Sequence, residues 1–548
     1  MSSNANSPSP AKATVVYLVG AGPGDPGLLT CAGADALRRA DVCVYDYLAN
    51  AKLLELLSPS CERIYVGKSA GQHTLTQEQI NALLVDTARK VDAARAGRTG
   101  RGGVVVRLKG GDPFIFGRGG EEGQALYDAQ IPFVVIPGVT SGIAGPAYAG
   151  IPATHRNIAT TLTLVTGHES DEKGGGVPTL DVPTLASLIA AGGTVVFYMG
   201  VRNLPNIAEQ FTKCLQARSP AATAPIPAAV IGWATHPHQR TIVGDLSNIA
   251  ERVEKAGIKP PAIILLGQVV TLREKLNWFE NRPLFGQRVL VTRTRQQASE
   301  LANGLTALGA EVLEAPTIEL ADPEDWSPID AALRHLAAYD WLVFTSANGV
   351  RAAWDRLRNL DLDVRAFCGI GTGIAAIGPA TAEALAQIGI IADMVPDDFV
   401  GEALAAALLV EMRKSTRHPG TGIQRALLLR ADIARPALRE DLQQAGIVVD
   451  DLPIYRTVRP ATLPEDILQT IQEGQFDWVT FTSASTAANL HALLSDELRA
   501  KVAGAKRLSI GPQTTATLTK LGWAPTIETP RHDIPGMIAA LTTAVANK

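Results

Sequence analysis

The sequence contains few cysteines and few aromatic residues, no long hydrophobic run and little excess charge. Its five cysteines form no CxxC pair, which excludes a zinc ribbon and offers no disulfide framework, as is usual in a reducing cytoplasm. No apolar stretch is long enough to span a membrane. The formal net charge of −4 argues against a general nucleic-acid binder. We therefore expect a cytoplasmic protein with no nucleic-acid or membrane partner.

Glycine is plentiful instead, and hydrophobic residues make up 46% of the chain, so large buried cores can form. A length of 548 residues predicts three or four compact units. Short apolar runs alternate with helical patterns along most of the chain, which indicates an α/β protein. Residues 1–13 are rich in Ser, Pro, Asn and Ala and lack the pattern of a signal peptide, and we expect them to form a disordered tail.

The most informative stretch near the start is a strand followed by a glycine loop. Residues 15–19 are apolar and mostly β-branched, and glycines at 20, 22 and 24 follow them. Pro23 and Pro26 lack the amide N–H groups that a phosphate would require. The loop therefore favours a nucleotide-derived ligand without phosphates, such as S-adenosylmethionine, over a dinucleotide. A purely structural turn is the alternative.

Charged residues follow several of the predicted strands. Asp46 ends a strand over 41–46 and is placed for chemistry or for capping the next helix, and Lys68 follows the strand over 62–67. The glycine-rich stretch 104–120 carries Arg107, Lys109 and Arg118, which could bind carboxylates or face solvent. Arg156 adds a further cation. No histidine or cysteine spacing indicates a metal site.

Six motifs in order give the first half a family resemblance. They are GAGPGDP, VYD, VGK, RLKGGDPFIFGRGGEE, PGVTSG and GIPATHR, and over residues 14–275 the chain resembles the uroporphyrinogen-III C-methyltransferases, within the tetrapyrrole methylases. The resemblance implies a two-lobed α/β methyltransferase that binds S-adenosylmethionine and uses no metal. It implies a cofactor pocket formed by Pro23, Gly110, Gly111, Asp112, Ile115, Thr140, Ser141, Met199 and Ala234. Ala234 departs from the family, whose members usually carry glycine there.

The same resemblance assigns roles to the charged residues. Asp46 matches the family's proton acceptor and Lys68 its proton donor. The tetrapyrrole substrate carries several carboxylates, for which Arg107, Arg118 and Arg156 are candidate ligands. A homodimer formed through this half is a further expectation.

The second half repeats itself. Residues 287–293, 340–347 and 377–382 recur 133 to 137 residues later as 424–430, 477–484 and 510–515. Such a period is the length of a small domain, so we predict two doubly wound α/β lobes. Both copies place hydroxyl groups at predicted helix starts, which indicates either an anion site across a cleft or simple helix capping.

The motifs VLVTR, FTSANGV, IGPATAEAL, LPIYRTV, FTSAS and SIGPQTT make residues 286–548 resemble uroporphyrinogen-III synthase. The resemblance implies one lobe from 286–316 and 456–548 and another from 317–455, with crossings at 314–318 and 451–455. Residues 276–285 are then a linker. Tyr455 matches a tyrosine that assists the leaving hydroxyl. The substrate-binding candidates are Thr345, Ser346, Thr381, Ser483 and Thr515.

Together the halves predict a bifunctional enzyme that makes uroporphyrinogen III and methylates it twice to precorrin-2, for sirohaem or cobalamin. One alternative is a methylase that acts on a later precorrin. Another is that one half has become a regulatory binding module.

Overall fold

The computed structural model of the chain describes residues 13–67, 75–95, 102–167, 180–218, 226–292, 299–367, 372–414 and 424–547. The predicted tail, up to residue 12, and Lys68 lie outside these ranges. The chain forms two units. The N-terminal unit comprises Met1–Gln287 with Gly304–Glu311 and Thr542–Lys548, and the C-terminal unit comprises Arg288–Asn303 and Val312–Leu541.

The first sheet of the N-terminal unit is parallel, with the strand order β3-β2-β4-β1-β5. Its strands are β1 (Val15–Gly20), β2 (Val42–Tyr45), β3 (Glu62–Tyr65), β4 (Val104–Lys109) and β5 (Phe133–Ile136). The accompanying helices are α1 (Cys31–Arg38), α2 (Gln77–Arg95), α3 (Gly119–Asp128) and α4 (Ser141–Tyr148). Apolar side chains of β4 contribute to two separate cores, one on each face of the sheet, as in a doubly wound fold.

The second sheet of this unit is mixed and has the order β6-β7-β10-β8-β9. Its strands are β6 (Leu162–Thr166), β7 (Thr194–Tyr198), β8 (Pro227–Gly232), β9 (Arg240–Asp245) and β10 (Ala262–Leu266). The helices are α5 (Val182–Ala190), α6 (Leu204–Arg218), α7 (Ile249–Lys255) and α8 (Arg273–Leu276). The N-terminal unit therefore has two α/β lobes.

The segment predicted as a linker, 276–285, packs into the N-terminal unit. Phe279 and Leu284 are buried, and the indole N–H of Trp278 donates to the carbonyl of Ala147 at 3.0 Å. The Glu280 carboxylate accepts a hydrogen bond from Gln239 at 2.8 Å. These contacts correct the prediction, because buried aromatic and carboxylate groups anchor the segment.

The C-terminal unit contains two five-stranded sheets, in the orders β12-β11-β18-β19-β20 and β13-β17-β16-β14-β15. The strands are β11 (Arg288–Val291), β12 (Glu311–Glu314), β13 (Glu319–Ala321), β14 (Trp341–Phe344), β15 (Gly373–Ala376), β16 (Arg425–Ala431), β17 (Val448–Val458), β18 (Trp478–Phe481), β19 (Lys506–Ser509) and β20 (Ile527–Glu528). The helices are α9 (Ser299–Ala307), α10 (Ser327–Leu333), α11 (Ala347–Asn359), α12 (Pro379–Gln387), α13 (Gly401–Lys414), α14 (Ala437–Gln444), α15 (Glu465–Glu473), α16 (Ala484–Leu493), α17 (Asp496–Gly504), α18 (Pro512–Lys520) and α19 (Ile534–Ala546). The α/β class and the two-lobed duplication are confirmed.

The second crossing between these lobes differs from the prediction. Residues 451–455 lie in the middle of β17, which pairs with β16 and runs three residues past the expected boundary at 455. The antiparallel partner β13 covers β17 only at 456–458. Pro453 therefore lies where β17 has one strand neighbour, a position at which proline is tolerated. The chain leaves this sheet after Val458.

Candidate active sites

A cavity of about 650 Å³ lies between the two lobes of the N-terminal unit, beyond the carboxyl ends of β1, β2 and β4. All nine residues predicted for the cofactor line it, and so do Asp46, Arg107 and Arg118. The nine are Pro23, Gly110, Gly111, Asp112, Ile115, Thr140, Ser141, Met199 and Ala234. Residues from both lobes thus line one site. Which ligand each residue contacts stays a prediction.

Two glycine loops meet at one side of this cavity. The amide of Gly111 donates to the carbonyl of Gly22 at 2.7 Å, and the amide of Gly22 donates back to Gly111 at 3.2 Å. A side chain on Gly20 would lie 2.5 Å from the backbone of Gly138, so only glycine allows this approach. Gly111 has a φ of +68°, and the nearest atom to the position of a Cβ there is 3.9 Å away. The backbone of Gly111 is therefore open to a ligand.

Asp112 organises the loop that follows. Its carboxylate accepts hydrogen bonds from the amides of Phe114 (2.8 Å), Ile115 (3.1 Å) and Gly138 (3.0 Å). One buried side chain thus fixes two backbone segments around the cavity, the loop at 114–115 and the turn at Gly138. This geometry gives Asp112 a structural role beside the cofactor contact predicted for it.

Tyr198 joins the two lobes beside Thr140 and Ser141. Its hydroxyl lies 2.7 Å from Thr140 Oγ1 and accepts a hydrogen bond from the amide of Gly142 at 2.7 Å. It thereby satisfies an N–H at the start of α4, which has no intrahelical acceptor. Sequence reasoning missed Tyr198, although it directly precedes Met199, which was predicted as a cofactor residue.

Several non-glycine residues around the cavity have left-handed backbone angles. They are Phe116 (φ 52°), Arg118 (57°), Met199 (56°) and Trp233 (48°). Such conformations cost free energy and concentrate at functional sites. Ala234 is not in this region, although its neighbours Trp233 and Thr235 are, so the backbone at Ala234 tolerates a methyl group.

A buried cluster of charges adjoins the cavity. Arg107 donates to Asp46 Oδ2 at 3.0 Å and to Glu122 Oε1 at 3.1 Å, and Lys109 donates to the same Glu122 oxygen at 2.8 Å. Arg107 is only 3% exposed, and its remaining nitrogen donates to the carbonyl of Leu108. The guanidinium of Arg107 is thus occupied in holding Asp46 and Glu122, and substrate binding by Arg107 stays a prediction. Burial and the adjacent Arg107 lower the pKa of Lys109.

The other predicted cations are more exposed. Arg118 lines the cavity and forms two hydrogen bonds with Glu121, at 2.7 and 2.8 Å. Arg156 is exposed and is not among the residues that line the cavity. Substrate binding by either residue stays a prediction.

His236 also lines the cavity, and the sequence assigned it no role in metal binding or catalysis. Its ring meets Trp233 edge-to-face and lies tilted against His238, with centroids 5.4 and 5.1 Å away, and a side chain on Gly24 would collide with it. Burial, with a smaller contribution from His238, lowers the pKa of His236 to about 4. His236 is therefore neutral at pH 7 and packs against the first glycine loop.

In the C-terminal unit, Tyr455 lines a cavity of about 240 Å³ together with Asn348 and Arg351. Its hydroxyl lies 3.0 Å from Ser346 Oγ. Burial raises the pKa of Tyr455, which keeps the phenol protonated. Tyr455 and Ser346, predicted separately, are therefore in contact.

Two of the predicted hydroxyls, Ser346 and Ser483, occupy equivalent places in the two lobes. Ser346 caps α11 by accepting the amide of Gly349 at 3.0 Å, and Ser483 caps α16 by accepting that of Thr486 at 3.2 Å. Thr381 is buried in the first turn of α12, and Thr515 contacts Ser509 Oγ at 3.0 Å. Thr345 directly follows β14 and is half-buried. Capping thus accounts for two of these side chains, and their binding of substrate stays a prediction.

Known protein families match the N-terminal half and the C-terminal half of the chain separately. The model of the tetrapyrrole (corrin/porphyrin) methylases matches residues 15–250, and that of uroporphyrinogen-III synthase HemD matches residues 299–539. A porphyrin biosynthesis protein HemD of Ruminiclostridium josui is 36% identical over 481 residues, covering 88% of this chain and 89% of that protein. The chain belongs to the family of fused tetrapyrrole methylases and uroporphyrinogen-III synthases.

Two further relatives match the methylase half. A uroporphyrinogen-III C-methyltransferase of Priestia megaterium is 46% identical over 255 residues, covering 46% of this chain and 98% of that protein. A siroheme synthase of Pseudoalteromonas atlantica is 47% identical over 264 residues, 48% of this chain and 52% of that protein. The chain thus matches only about half of the siroheme synthase. Together with the two family models and the HemD relative, these matches confirm an enzyme of tetrapyrrole biosynthesis with a methyltransferase half and a synthase half.

Two negative observations apply to the part of the chain that the structure describes. No three side chains of His, Cys, Asp or Glu are placed there to hold a metal ion. No helix in those ranges is long and apolar enough to cross a membrane.

Proposed function

We propose that the synthase half closes linear hydroxymethylbilane into uroporphyrinogen III, with loss of water and inversion of the last ring. The methylase half then transfers two methyl groups from S-adenosylmethionine to this product and forms precorrin-2, on the branch to sirohaem and cobalamin. The observation that carries the proposal is the single cavity that all nine expected cofactor residues share with Asp46.

The cavity suits a nucleoside that lacks a diphosphate. Pro23 lies at its edge and offers no amide hydrogen to an anion. Gly111 leaves space where any other residue would place a Cβ, so the backbone can contact a flat ligand. Pro23, Gly110 and Gly111 on one side, and Met199 and Ala234 on the other, would hold S-adenosylmethionine. When bound, this cofactor supplies a methyl group on a sulfonium.

The residues beside that position can assist methyl transfer to carbon. Transfer is an in-line displacement, so the protein mainly has to align donor and acceptor. The pyrrole becomes cationic as the bond forms, and the Asp46 carboxylate can stabilise this charge and accept the proton that leaves. Arg107 holds Asp46 in place at 3.0 Å. Lys68 remains the proposed proton donor.

An apolar rim makes the cavity suitable for a flat macrocycle. Tyr47, Leu48, Phe116, Met199 and Trp233 line the cavity, and each remains 37 to 55% exposed. Exposed apolar residues grouped in this way mark binding surfaces. Arg118 at this rim can pair with a substrate carboxylate.

The proposal for the synthase half rests on Tyr455. Its phenol, kept protonated by burial, can donate a hydrogen bond to the hydroxyl that leaves hydroxymethylbilane. Loss of that hydroxyl produces a reactive cation, so the unit chiefly has to fold the substrate and exclude the unassisted closure. Ser346 orients the phenol from the start of α11.

A coupled assay tests the proposal. The full chain is incubated anaerobically with hydroxymethylbilane, with and without S-adenosylmethionine, and the products are separated and weighed by mass spectrometry. We expect uroporphyrinogen III without the methyl donor and a dimethylated product with it. A chain that methylates only a later precorrin would support the alternative methylase instead. We also propose a cytoplasmic location and a homodimer formed by the methylase half, which fractionation and sedimentation would test.

A further inference from the structure

The buried acid Glu122 has no role in the reaction as described so far. It lies on α3, its side chain is completely inaccessible to solvent, and it is absent from the cavity lining. Burial of a carboxylate costs free energy. Replacing a buried ion pair by apolar residues of similar size often leaves the stability of the folded protein unchanged or raises it. A glutamate at this position therefore requires an explanation in terms of what it contacts.

The strand geometry brings its partners together. Side chains alternate along β4, so Arg107 and Lys109 project from the face opposite to Val106 and Leu108. In the register of β2 with β4, Val44 is opposite Arg107, which places Asp46 beside the end of β4 on the same face. Glu122 reaches this face from α3 and contacts both cations.

One oxygen of Glu122 makes all of these contacts. Oε1 accepts from Lys109 at 2.8 Å, from Arg107 at 3.1 Å and, at the longer distance of 3.4 Å, from Gln77. Oε2 is buried and has no hydrogen-bond partner among the residues that the structure describes. Such unsatisfied buried atoms are rare and lower stability, so the charge of Glu122 is kept at a cost.

The contacts form a chain that ends at the reacting centre. Glu122 fixes the Nε edge of Arg107, and a different nitrogen of the same planar guanidinium holds Asp46. Because the guanidinium is rigid, fixing one edge sets the direction of the other. Of the two carboxylates, only Asp46 lines the cavity.

We infer that Glu122 is a positioning residue of the methyltransferase: through Arg107 it orients the Asp46 carboxylate toward the methyl acceptor. The inference rests on the proposed function of Asp46. Glu122 touches neither cofactor nor substrate and acts only through the guanidinium, while Lys109 balances its charge. The cluster of Asp46, Arg107, Lys109 and Glu122 contains two cations and two anions and so has no net formal charge.

The test compares Glu122→Gln with the wild type in the full chain. Glutamine keeps the shape and one acceptor but removes the charge that holds Arg107. We expect kcat for methyl transfer to fall by about tenfold or more, while KM for uroporphyrinogen III and the calorimetric Kd of S-adenosylhomocysteine change by less than about threefold. Asp128→Asn, which removes an exposed acid from the end of the same helix, is the matched control and should leave kcat unchanged.

A second variant keeps the test decisive if Glu122→Gln does not fold. The double variant Glu122→Gln/Lys109→Met removes one acid and one base, so the cluster stays neutral. We expect it to fold and to show the same low kcat, since Arg107 is still unanchored. A wild-type kcat in either folded variant would overturn the inference, as would an equal loss of cofactor affinity. If instead the wild-type chain transfers no methyl group to uroporphyrinogen III, the proposed function itself fails.

Discussion

The guanidinium of Arg107 donates a hydrogen bond of 3.0 Å to the Asp46 carboxylate, although the two residues are 61 positions apart in sequence. Arg107 lies on β4, and Asp46 directly follows the adjacent parallel strand β2. Asp46 keeps about one fifth of its side chain accessible, whereas Arg107 keeps almost none. Asp46 therefore faces the cavity, and the buried guanidinium of Arg107 orients its carboxylate from the protein interior.

Replacing Asp46 by asparagine should nearly abolish methyl transfer without affecting the cofactor. Asparagine can still accept the hydrogen bond from Arg107, but it cannot accept a proton or offset a cationic ring. We expect the rate of S-adenosylhomocysteine formation to fall by about 100-fold or more. Synthase activity, measured in the same sample, is the internal control and should be unchanged. Full methylation by the variant would remove Asp46 from the mechanism.

Replacing Tyr198 by phenylalanine should loosen the junction between the lobes of the methylase half. The change leaves the amide of Gly142 without its acceptor and removes the partner of Thr140. An unsatisfied buried donor costs about 1–3 kcal/mol, so we expect a lower thermal midpoint and weaker binding of S-adenosylhomocysteine. Tyr127→Phe is the control, because Tyr127 is 76% exposed. Equal effects of the two changes would contradict the proposed junction.

Tyr148 connects the segment after α8 to the first glycine loop. Its hydroxyl donates to Asp25 at 2.8 Å, and its ring packs on Phe279 with centroids 4.6 Å apart. Burial, reinforced by the hydrogen bond to Asp25, raises the pKa of Tyr148, so the phenol stays protonated. We expect Tyr148→Phe to destabilise the methylase half by about 1 kcal/mol and to weaken cofactor binding. If calorimetry showed an unchanged affinity for the cofactor, this segment would have no part in supporting the cofactor loop.

The stability of the methylase half should depend on pH through His236. In the folded protein its pKa is lowered to about 4, from an ordinary value of 6.5. The unfolded chain therefore binds a proton at a higher pH than the folded one, so this contribution is complete above about pH 6.5 and is lost as the pH falls toward 4. The shift corresponds to at most about 3 kcal/mol.

Thermal midpoints of wild type and His236→Gln, measured between pH 8 and pH 4.5, check this expectation. The wild type should lose more stability than the variant as the pH falls, because glutamine does not titrate. Parallel curves for the two proteins would show that His236 is not responsible.

Tyr455→Phe should damage the synthase half selectively. The phenylalanine fills the same buried space but cannot donate a hydrogen bond to the departing hydroxyl. We expect the rate of uroporphyrinogen III formation to fall by about 10-fold to 100-fold, with more of the uninverted isomer from unassisted closure. Chromatographic separation of the isomers measures both effects. Methylation of supplied uroporphyrinogen III should stay at the wild-type rate.

Sequence reasoning located the strand ends and thereby most of the candidate site. In a parallel sheet the carboxyl ends of neighbouring strands share an edge, so loops after β1, β2 and β4 had to meet. The alternation along β4 also places Arg107 and Lys109 on one face. The partner that they share, Glu122, was not predictable, because the doublet of glutamates in α3 does not reveal which one faces the sheet.

Contacts between residues far apart in the chain could not be predicted from the sequence either. Tyr198 reaches Gly142 from the other lobe, and Tyr148 reaches Asp25 across 123 residues. The segment 276–285 was predicted to be a linker because it lies between the two halves that resemble different families. Only the folded unit shows that Phe279 and Leu284 are buried in it.

Titration calorimetry of the full chain tests the central claim most directly, which is that the cavity beside Pro23 receives a sulfonium nucleoside. We predict clear binding heat with S-adenosylhomocysteine and none with NAD under the same conditions. Binding of NAD without binding of S-adenosylhomocysteine would contradict the account of the methylase half and the reaction assigned to it.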